Sequence, residues 1–211
     1  MNFAHRCLRA PVAVLGVALA ITFTACSGGG DDSPNTAAPA GTTLKLDAGD
    51  VVVDAAGPPG TLAAADEDAI IETLRKYVIA ATVDPMHGKK VGDLSAVFTA
   101  DAAASLTGLN RDTALDEGVP KATTTVKAIA GAVTLTALSD QSGAIDLVGA
   151  TLFLDVNAKA RTGPMRVLRT GELIVKRDAG AWKISSYKLS VNRTGSGLPT
   201  PTSSSTGTST P

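Results

Sequence analysis

Few residues in this chain have the types and spacing needed for acid–base chemistry. His87 follows Asp84 by three positions, and a carboxylate at that spacing can orient an imidazole as a general base. The alternative, which we favour, is an exposed histidine in a loop that contains Pro85 and Gly88. His87 is the only histidine after residue 25, so the sequence predicts no metal site and no catalytic residue.

Three other residues are candidates for binding a ligand. Arg169 lies on a predicted strand where simple alternation points it inward, and there it would bind an anionic ligand head or pair with a buried acid. The alternative is a bulge that turns Arg169 to solvent. Tyr77 lies on the apolar face of a predicted helix, and Trp182, the sole tryptophan, is either a core anchor or a ligand-stacking residue. The strand carboxylates Asp155 and Glu172 fall on the polar face, so no acid is predicted beside Tyr77.

The N-terminal residues predict export and lipidation of Cys26. Residues 1–25 carry Arg6 and Arg9, then an apolar run, and end in small residues, which is typical of a secretory signal. Phe23-Thr24-Ala25-Cys26 resembles a bacterial lipobox, in which the cysteine receives acyl chains such as palmitate. The alternatives are simple secretion and an uncleaved membrane helix. The apolar run of about 15 residues is shorter than the roughly 20 that span a bilayer.

The composition argues against several classes of function. Aromatic residues make up 3% of the chain, the formal net charge is −1, and there is no basic stripe, so no nucleic-acid partner is predicted. The two cysteines are Cys7, inside the signal, and Cys26. An exported domain would therefore be stabilised by packing without disulfides, and no cofactor is predicted.

Composition also divides the chain into four parts. Residues 1–25 are predicted to be the lipoprotein signal peptide, and residues 26–43 a lipidated cysteine with a flexible tether that is too polar to bury a core. Residues 44–193 carry the apolar periodicity of one α+β domain. Residues 194–211, rich in Ser, Thr and Pro, predict a disordered tail.

The first part of the domain predicts a short strand or hairpin and then a long helix. Alternation and β-branched residues over 44–53 favour β structure, either a short strand or a hairpin. Apolar residues recur at helical spacing over 66–82, and acidic residues at the start of this segment suit the helix dipole. Asp84-Pro85 is predicted to end the helix, because the residue before proline avoids the helical region.

The second part of the domain predicts a β-meander. Its four strands are predicted over residues 123–138, 144–161, 165–176 and 181–192. Alternation predicts a sheet with one buried face, and interruptions at Gly149, Gly171 and Ser185 predict bends or bulges. The predicted fold class is α+β, with N-terminal helices packed on a curved antiparallel meander of four or slightly more strands.

This order of elements resembles a known family. A helix pair and a long meander, whose last strand opens Gly180-Ala181-Trp182-Lys183-Ile184, resemble the nuclear transport factor 2-like (cystatin-like) α+β roll. The resemblance covers roughly residues 66–192 and rests also on Phe98-Thr99. It implies helices packed into a curved sheet around a conical cavity, which members of the family use for catalysis, for ligands or for association. Exported bacterial lipoproteins are among those members.

Three functions follow as hypotheses. The leading one is a non-enzymatic lipoprotein, extracytoplasmic and lipid-anchored to the cell membrane, that binds a partner protein of the envelope or stabilises an envelope complex. The alternative is a carrier or sensor of a small apolar or amphiphilic ligand, with Arg169 near the mouth of the cavity. An isomerase- or cyclase-type enzyme is the least favoured, because it needs a carboxylate or histidine in the cavity beside Tyr77 or Tyr187.

Overall fold

The computed structural model describes residues 41–198 and 205–209. The predicted signal peptide, Cys26 and nearly all of the tether lie outside these residues. The elements, in chain order, are β1 (Thr42–Lys45), β2 (Ala48–Ala55), α1 (Ala64–Val78), a π-helical turn (Ile79–Val83), α2 (Asp84–Met86), α3 (Ala100–Ala104), α4 (Gly108–Ala114), β3 (Val126–Ala130), β4 (Val133–Ser139), β5 (Ile145–Ala160), β6 (Gly163–Asp178), β7 (Ala181–Thr194) and β8 (Ser205–Ser209).

The strands form one mixed sheet. β5, β6 and β7 are antiparallel neighbours, as the alternation predicted. β3 and β4 both pair with the other edge of β5, and beyond them β1 pairs with β3 and β2 with β4, both in parallel. The prediction of a purely antiparallel meander is therefore wrong: the α+β class holds, but the sheet is larger and mixed. The parallel pairs arise because the chain returns to the sheet through a long helical crossover between β2 and β3.

The strand at this edge of the sheet and its inner neighbour are each broken into two pieces. The predicted strand over 123–138 is interrupted at Gly131 and Ala132, between β3 and β4. Leu46 and Asp47 separate β1 from β2 at the same level, where the Val133 amide donates to the Asp47 carbonyl (3.0 Å). Of the short strand or hairpin predicted over 44–53, strand structure forms but the hairpin does not, because β1 and β2 each pair in parallel with a later strand.

The predicted irregularities have different outcomes. The bulge at Ser185 is confirmed, since Ser186 faces Ile174 while Ile184 faces Val175. Gly149 stays in regular register, and the irregularity of that pairing lies at the β4–β5 turn instead. At Gly171 the backbone φ is +151°, and a Cβ atom there would overlap the backbone of the neighbouring β7 strand. Glycine is needed at this position for the close approach of the two strands.

The long helix continues past its predicted end. α1 passes through the π-helical turn into α2, and Asp84, the residue before Pro85, is helical (φ −62°, ψ −45°). Pro85 has no N–H group, so the carbonyl of Ala81, four residues earlier, lacks its usual helical partner. That carbonyl accepts a hydrogen bond from the Asp116 amide instead (2.8 Å). The widened turn and this outside donor explain why the proline does not end the helix.

The helices pack against the sheet over a continuous apolar core. α1 contributes Ile70, Leu74 and Tyr77, which are fully buried. Aromatic rings meet edge to face within this core: Tyr77 and Phe98 have centroids 5.7 Å apart, and Phe98 and Tyr187 6.1 Å. Side chains of the protein itself therefore fill this part of the interior.

The last predicted segment also contains regular structure. β7 extends to Thr194, and residues 205–209 form β8, antiparallel to β7. The predicted disordered tail over 194–211 thus includes a strand. Leu198 is half-buried and packs against the core.

Candidate functional site

Arg169 is the most deeply buried charged residue among the sequence candidates. Its position on β6 points it inward, as alternation predicted, and the side chain is fully buried. Nε donates to the carbonyl of Thr113 (3.3 Å), Nη1 to Oγ1 of Thr82 (2.7 Å), and Nη2 to Oδ2 of Asp116 (2.8 Å). All three guanidinium nitrogens are therefore bound by groups of the chain itself.

Asp116 is the acid that compensates this buried charge. Its Oδ2 also accepts from the Thr82 hydroxyl (2.6 Å), and its Oδ1 accepts from Nε of Arg193 (2.6 Å). Asp116 is fully buried, whereas the Arg193 side chain retains 12% exposure. We call Thr82, Asp116, Arg169 and Arg193 the buried ion cluster. Two guanidinium groups share one carboxylate in it, and Arg193 forms its outer edge.

The two arginines of the cluster, together with Tyr77, donate hydrogen bonds to the last carbonyl groups of α4. The last carbonyls of a helix have no partner within the helix. Here Arg193 donates to the carbonyl of Asp112, Arg169 to that of Thr113, and the Tyr77 hydroxyl to that of Ala114 (2.9 Å). Positive charge at this position also suits the negative end of the helix dipole. The cluster thereby joins the end of α1, the end of α4, β6 and β7.

The electrostatics of the cluster keep its groups in fixed protonation states near neutral pH. Burial acts to raise the pKa of Asp116, but Arg169, Arg193 and the Thr82 hydroxyl outweigh burial, so the pKa lies below its ordinary value. Burial raises the pKa of Tyr77 to about 12. Asp116 is therefore ionised and Tyr77 neutral at pH 7, so neither has the near-neutral pKa that suits a general acid or base.

Trp182 belongs to a second, separate group. Its Nε1 donates to Oδ1 of Asp66 (3.1 Å), and Arg177 lies over the indole ring, 4.7 Å from the centroid. Arg177 also forms an ion pair with Asp66 (2.6 Å). The hydrogen bond from Trp182, together with Arg177, holds the pKa of Asp66 below its ordinary value despite partial burial. Trp182 is 4% exposed, which agrees with the core-anchor interpretation.

The sequence candidates do not form one site. The Arg169 guanidinium carbon lies 6.0 Å from the centre of the Tyr77 ring, but Trp182 faces Arg177, eight positions along β6 from Arg169. His87 is not oriented by Asp84. Its Nε2 contacts Oγ1 of Thr42 (3.2 Å), while Asp84 pairs with Lys89 (2.8 Å).

Sequence reasoning missed Asp116, Thr82 and Arg193. Asp116 lies in the irregular segment between α4 and β3, where no periodicity marks it. One signal was present: an arginine that alternation places inside a domain requires a buried counter-charge. That requirement predicts the existence of such an acid but not its position in the chain.

Two further observations concern metal and membrane. Among residues 41–198 and 205–209, no group of three or more His, Cys, Asp and Glu side chains is arranged to hold a metal ion. No helix within that part of the chain has both the length and the apolar character to cross a bilayer.

Comparison of the chain with protein-family models, with curated proteins and with solved structures found no match.

Proposed function

We propose that this protein is an extracytoplasmic lipoprotein, anchored to the cell membrane through Cys26, whose α+β domain is a non-enzymatic interaction module of the cell envelope. A curved roll of the nuclear transport factor 2-like type is part of this proposal. One observation carries it: the guanidinium of Arg169, the strongest candidate for binding a ligand, is saturated by Asp116, Thr82 and Thr113. A ligand anion would have to displace a buried carboxylate to reach it.

The aromatic contacts support association in preference to ligand carriage. Tyr77, Phe98 and Tyr187 are all buried and meet edge to face in the space between the helices and the sheet. Such contacts stabilise a packed core, whereas a carrier needs open volume there.

The outer face of the sheet offers a surface for a partner protein. Phe153 on β5 is 51% exposed and Ile129 on β3 is 50% exposed. Ile129 faces Asp155, two positions from Phe153, so the two apolar side chains are diagonal neighbours on one face. Leu168 of β6, also opposite Asp155, is half-buried beside them. Exposed apolar groups that lie together in this way are typical of protein contacts.

The test compares two substitutions of exposed apolar residues. Phe153→Asp changes the outer face, while Leu109→Asp on α4, where the side chain is 59% exposed, is the matched control. Crosslinking in membranes of the native host, followed by mass spectrometry, should recover one defined protein with the wild-type and the control but not with Phe153→Asp. Both variants should unfold at the wild-type temperature. Equal recovery with Phe153→Asp, or a lipid bound inside the purified protein, would contradict the interaction role.

Anchoring is measured separately. Intact mass spectrometry of the membrane-extracted protein should show an acylated N-terminal Cys26, and Cys26→Ala should release the domain from the membrane fraction. An unmodified Cys26 in the mature protein would contradict the lipoprotein assignment.

A further inference from the structure

Charge is distributed unevenly over the described domain. One end is formed by the segment after α2, the segment before β3 and the β5–β6 turn, and its exposed cations are Lys89, Lys90, Lys121, Lys127, Lys159 and Arg161. We call this surface the basic end. The opposite end, around β2, the start of α1 and the β4–β5 and β6–β7 turns, holds Asp50, Asp54, Asp66, Glu67, Asp68, Asp140, Asp146 and Asp178.

The basic end is continuous although its residues come from distant parts of the chain. A Cβ atom placed on Gly88 would lie 3.4 Å from the side chain of Lys121, so Lys121 adjoins the segment that carries Lys89 and Lys90. Lys121 and Arg161 line one surface cavity of about 500 Å³. The Lys159 carbonyl accepts from the Thr123 amide (2.7 Å), which brings the end of β5 beside the same segment.

Two acids that adjoin these cations already have basic partners. Asp84 pairs with Lys89 (2.8 Å) and Glu117 with Arg111 (2.6 Å). Asp155, further along β5, pairs with Arg166 (2.8 Å). Among the residues that the structure describes, five cations of the basic end have no ion pair: Lys90, Lys121, Lys127, Lys159 and Arg161. The positive charge of this surface is therefore not neutralised locally.

The chain enters the described domain at the basic end. The Gly41 carbonyl accepts from the Val126 amide at the start of β3 (2.9 Å), and Thr42 contacts His87 (3.2 Å). Cys26 lies only 15 positions before Gly41. A chain of that length reaches at most about 50 Å when fully extended, and about 20 Å on average as a flexible coil. A lipid attached at Cys26 would thus hold this end, rather than the acidic one, nearest the bilayer.

We propose that the basic end is a docking surface for the anionic phospholipid headgroups of the membrane that anchors the protein; this inference rests on the proposed lipid anchor. Each Lys or Arg close to an anionic bilayer raises the docked population about five-fold, and one acyl anchor gains strength from a polybasic patch beside it. The acidic end is repelled by the same surface. Docking therefore gives the domain a fixed orientation, with β2 and the β6–β7 turn directed away from the membrane.

The test measures the distance from each end of the acylated full-length protein to the bilayer. The mature chain has no cysteine besides Cys26, so Thr125→Cys at the basic end and Gln141→Cys at the acidic end accept a fluorophore singly. Energy transfer to a headgroup-labelled lipid is recorded in vesicles of phosphatidylcholine alone or with added phosphatidylglycerol. We expect strong transfer from position 125 and weak transfer from 141 in anionic vesicles, with the difference reduced by salt. Equal transfer from both positions in anionic vesicles would overturn the proposal.

Two charge-reversal variants make the test specific. The first variant, K90E/K121E/R161E, replaces three cations of the basic end. The second, K76E/K176E/K188E, replaces three exposed cations elsewhere. The first should lower the ratio of docked to undocked protein by at least about a hundredfold, from about five-fold for each of the three lost cations before any repulsion by the new glutamates, while the second keeps the wild-type orientation. Retained docking in the first variant, or equal loss in both, would refute a role for this surface. Failure of the anchor itself is distinguishable, because unacylated protein would not float with vesicles of phosphatidylcholine alone, where the basic end finds no anionic headgroups.

Discussion

Replacing Asp116 with asparagine should remove a large part of the stability of the domain. The substitution keeps the shape of the side chain but leaves the fully buried Arg169 without a counter-charge and presents an amide N–H₂ group to donors of Thr82 or Arg193. Removing one partner of a buried ion pair costs about 3–5 kcal/mol. Since domains are stable by only about 5–15 kcal/mol, the variant should lie near the limit of folding.

Urea unfolding followed by fluorescence measures this loss. Trp182 is the sole tryptophan and is 4% exposed, so its emission reports exposure of the core. The matched control is Asp155→Asn, which breaks the partly exposed pair with Arg166 (2.8 Å). The free energy of unfolding should fall by about 3–5 kcal/mol for Asp116→Asn. It should fall by at most about 1 kcal/mol for Asp155→Asn.

A double-mutant cycle separates the charge effect from general disruption. In an Arg169→Met background the carboxylate of Asp116 has lost one of its two guanidinium partners, so Asp116→Asn should cost clearly less than in the wild-type. If Asp116→Asn costs no more than Asp155→Asn, or the same amount with and without Arg169, the buried ion cluster does not stabilise the fold as argued. A variant that fails to fold while the double variant folds would agree with the reasoning.

Three other outcomes follow from the geometry. Gly171→Ala should lower the free energy of unfolding in urea by at least about 1–3 kcal/mol, because the φ of +151° and the neighbouring strand leave no room for a Cβ atom. The control is Gly149→Ala, where the nearest atom to an added Cβ would be 3.8 Å away, and it should change stability by under about 0.5 kcal/mol. A similar cost at both positions would contradict the close approach of strands at Gly171. Because the pKa of Asp116 is lower in the folded than in the unfolded chain, its contribution is complete above about pH 4 and is lost as pH falls below that value, so acid titration of unfolding should be shallower in Asp116→Asn. Burial raises the pKa of Tyr77 to about 12 and that of Tyr187 above its ordinary value, so folded protein should show less tyrosinate absorbance than unfolded protein at about pH 10.5. The stability due to Tyr77 is complete below about pH 10 and should be lost towards pH 12, and equal tyrosinate absorbance of the folded and unfolded protein would be inconsistent with the burial of these tyrosines.

Local patterns predicted the centre of the sheet well. β5, β6 and β7 are long, alternate strictly and are joined by short turns, so each pairing depends on residues near in sequence. The inward direction of Arg169 and the bulge at Ser185 follow from the same alternation. These features are set by the pleat of the strand, which the sequence displays directly.

Features that depend on distant partners were not predictable in this way. β1 pairs with a strand that begins 84 residues later, and nothing within residues 44–53 distinguishes that parallel pairing from a hairpin. The helix passes Pro85 because the amide of Asp116, from a different segment, binds the carbonyl that the proline leaves free. The position of Asp116 has the same cause, since tertiary contacts and not local periodicity place it. The predictions for Cys26 lie outside the described residues and stay predictions.

The parallel pairing of the broken edge strand with its broken neighbour also bears on the order in which the protein folds. β1 and β2 precede the whole helical region, whereas their partners β3 and β4 follow it, so these two pairings close longer loops than the other strand pairs of the sheet. The β5–β6–β7 hairpins can nucleate by themselves. We therefore expect pulse-labelled hydrogen exchange during refolding to protect β6 amides before those of β2, whose Val51 and Val52 would stay available to other chains in the interval. Simultaneous protection of both strands would show that the domain instead closes in a single step.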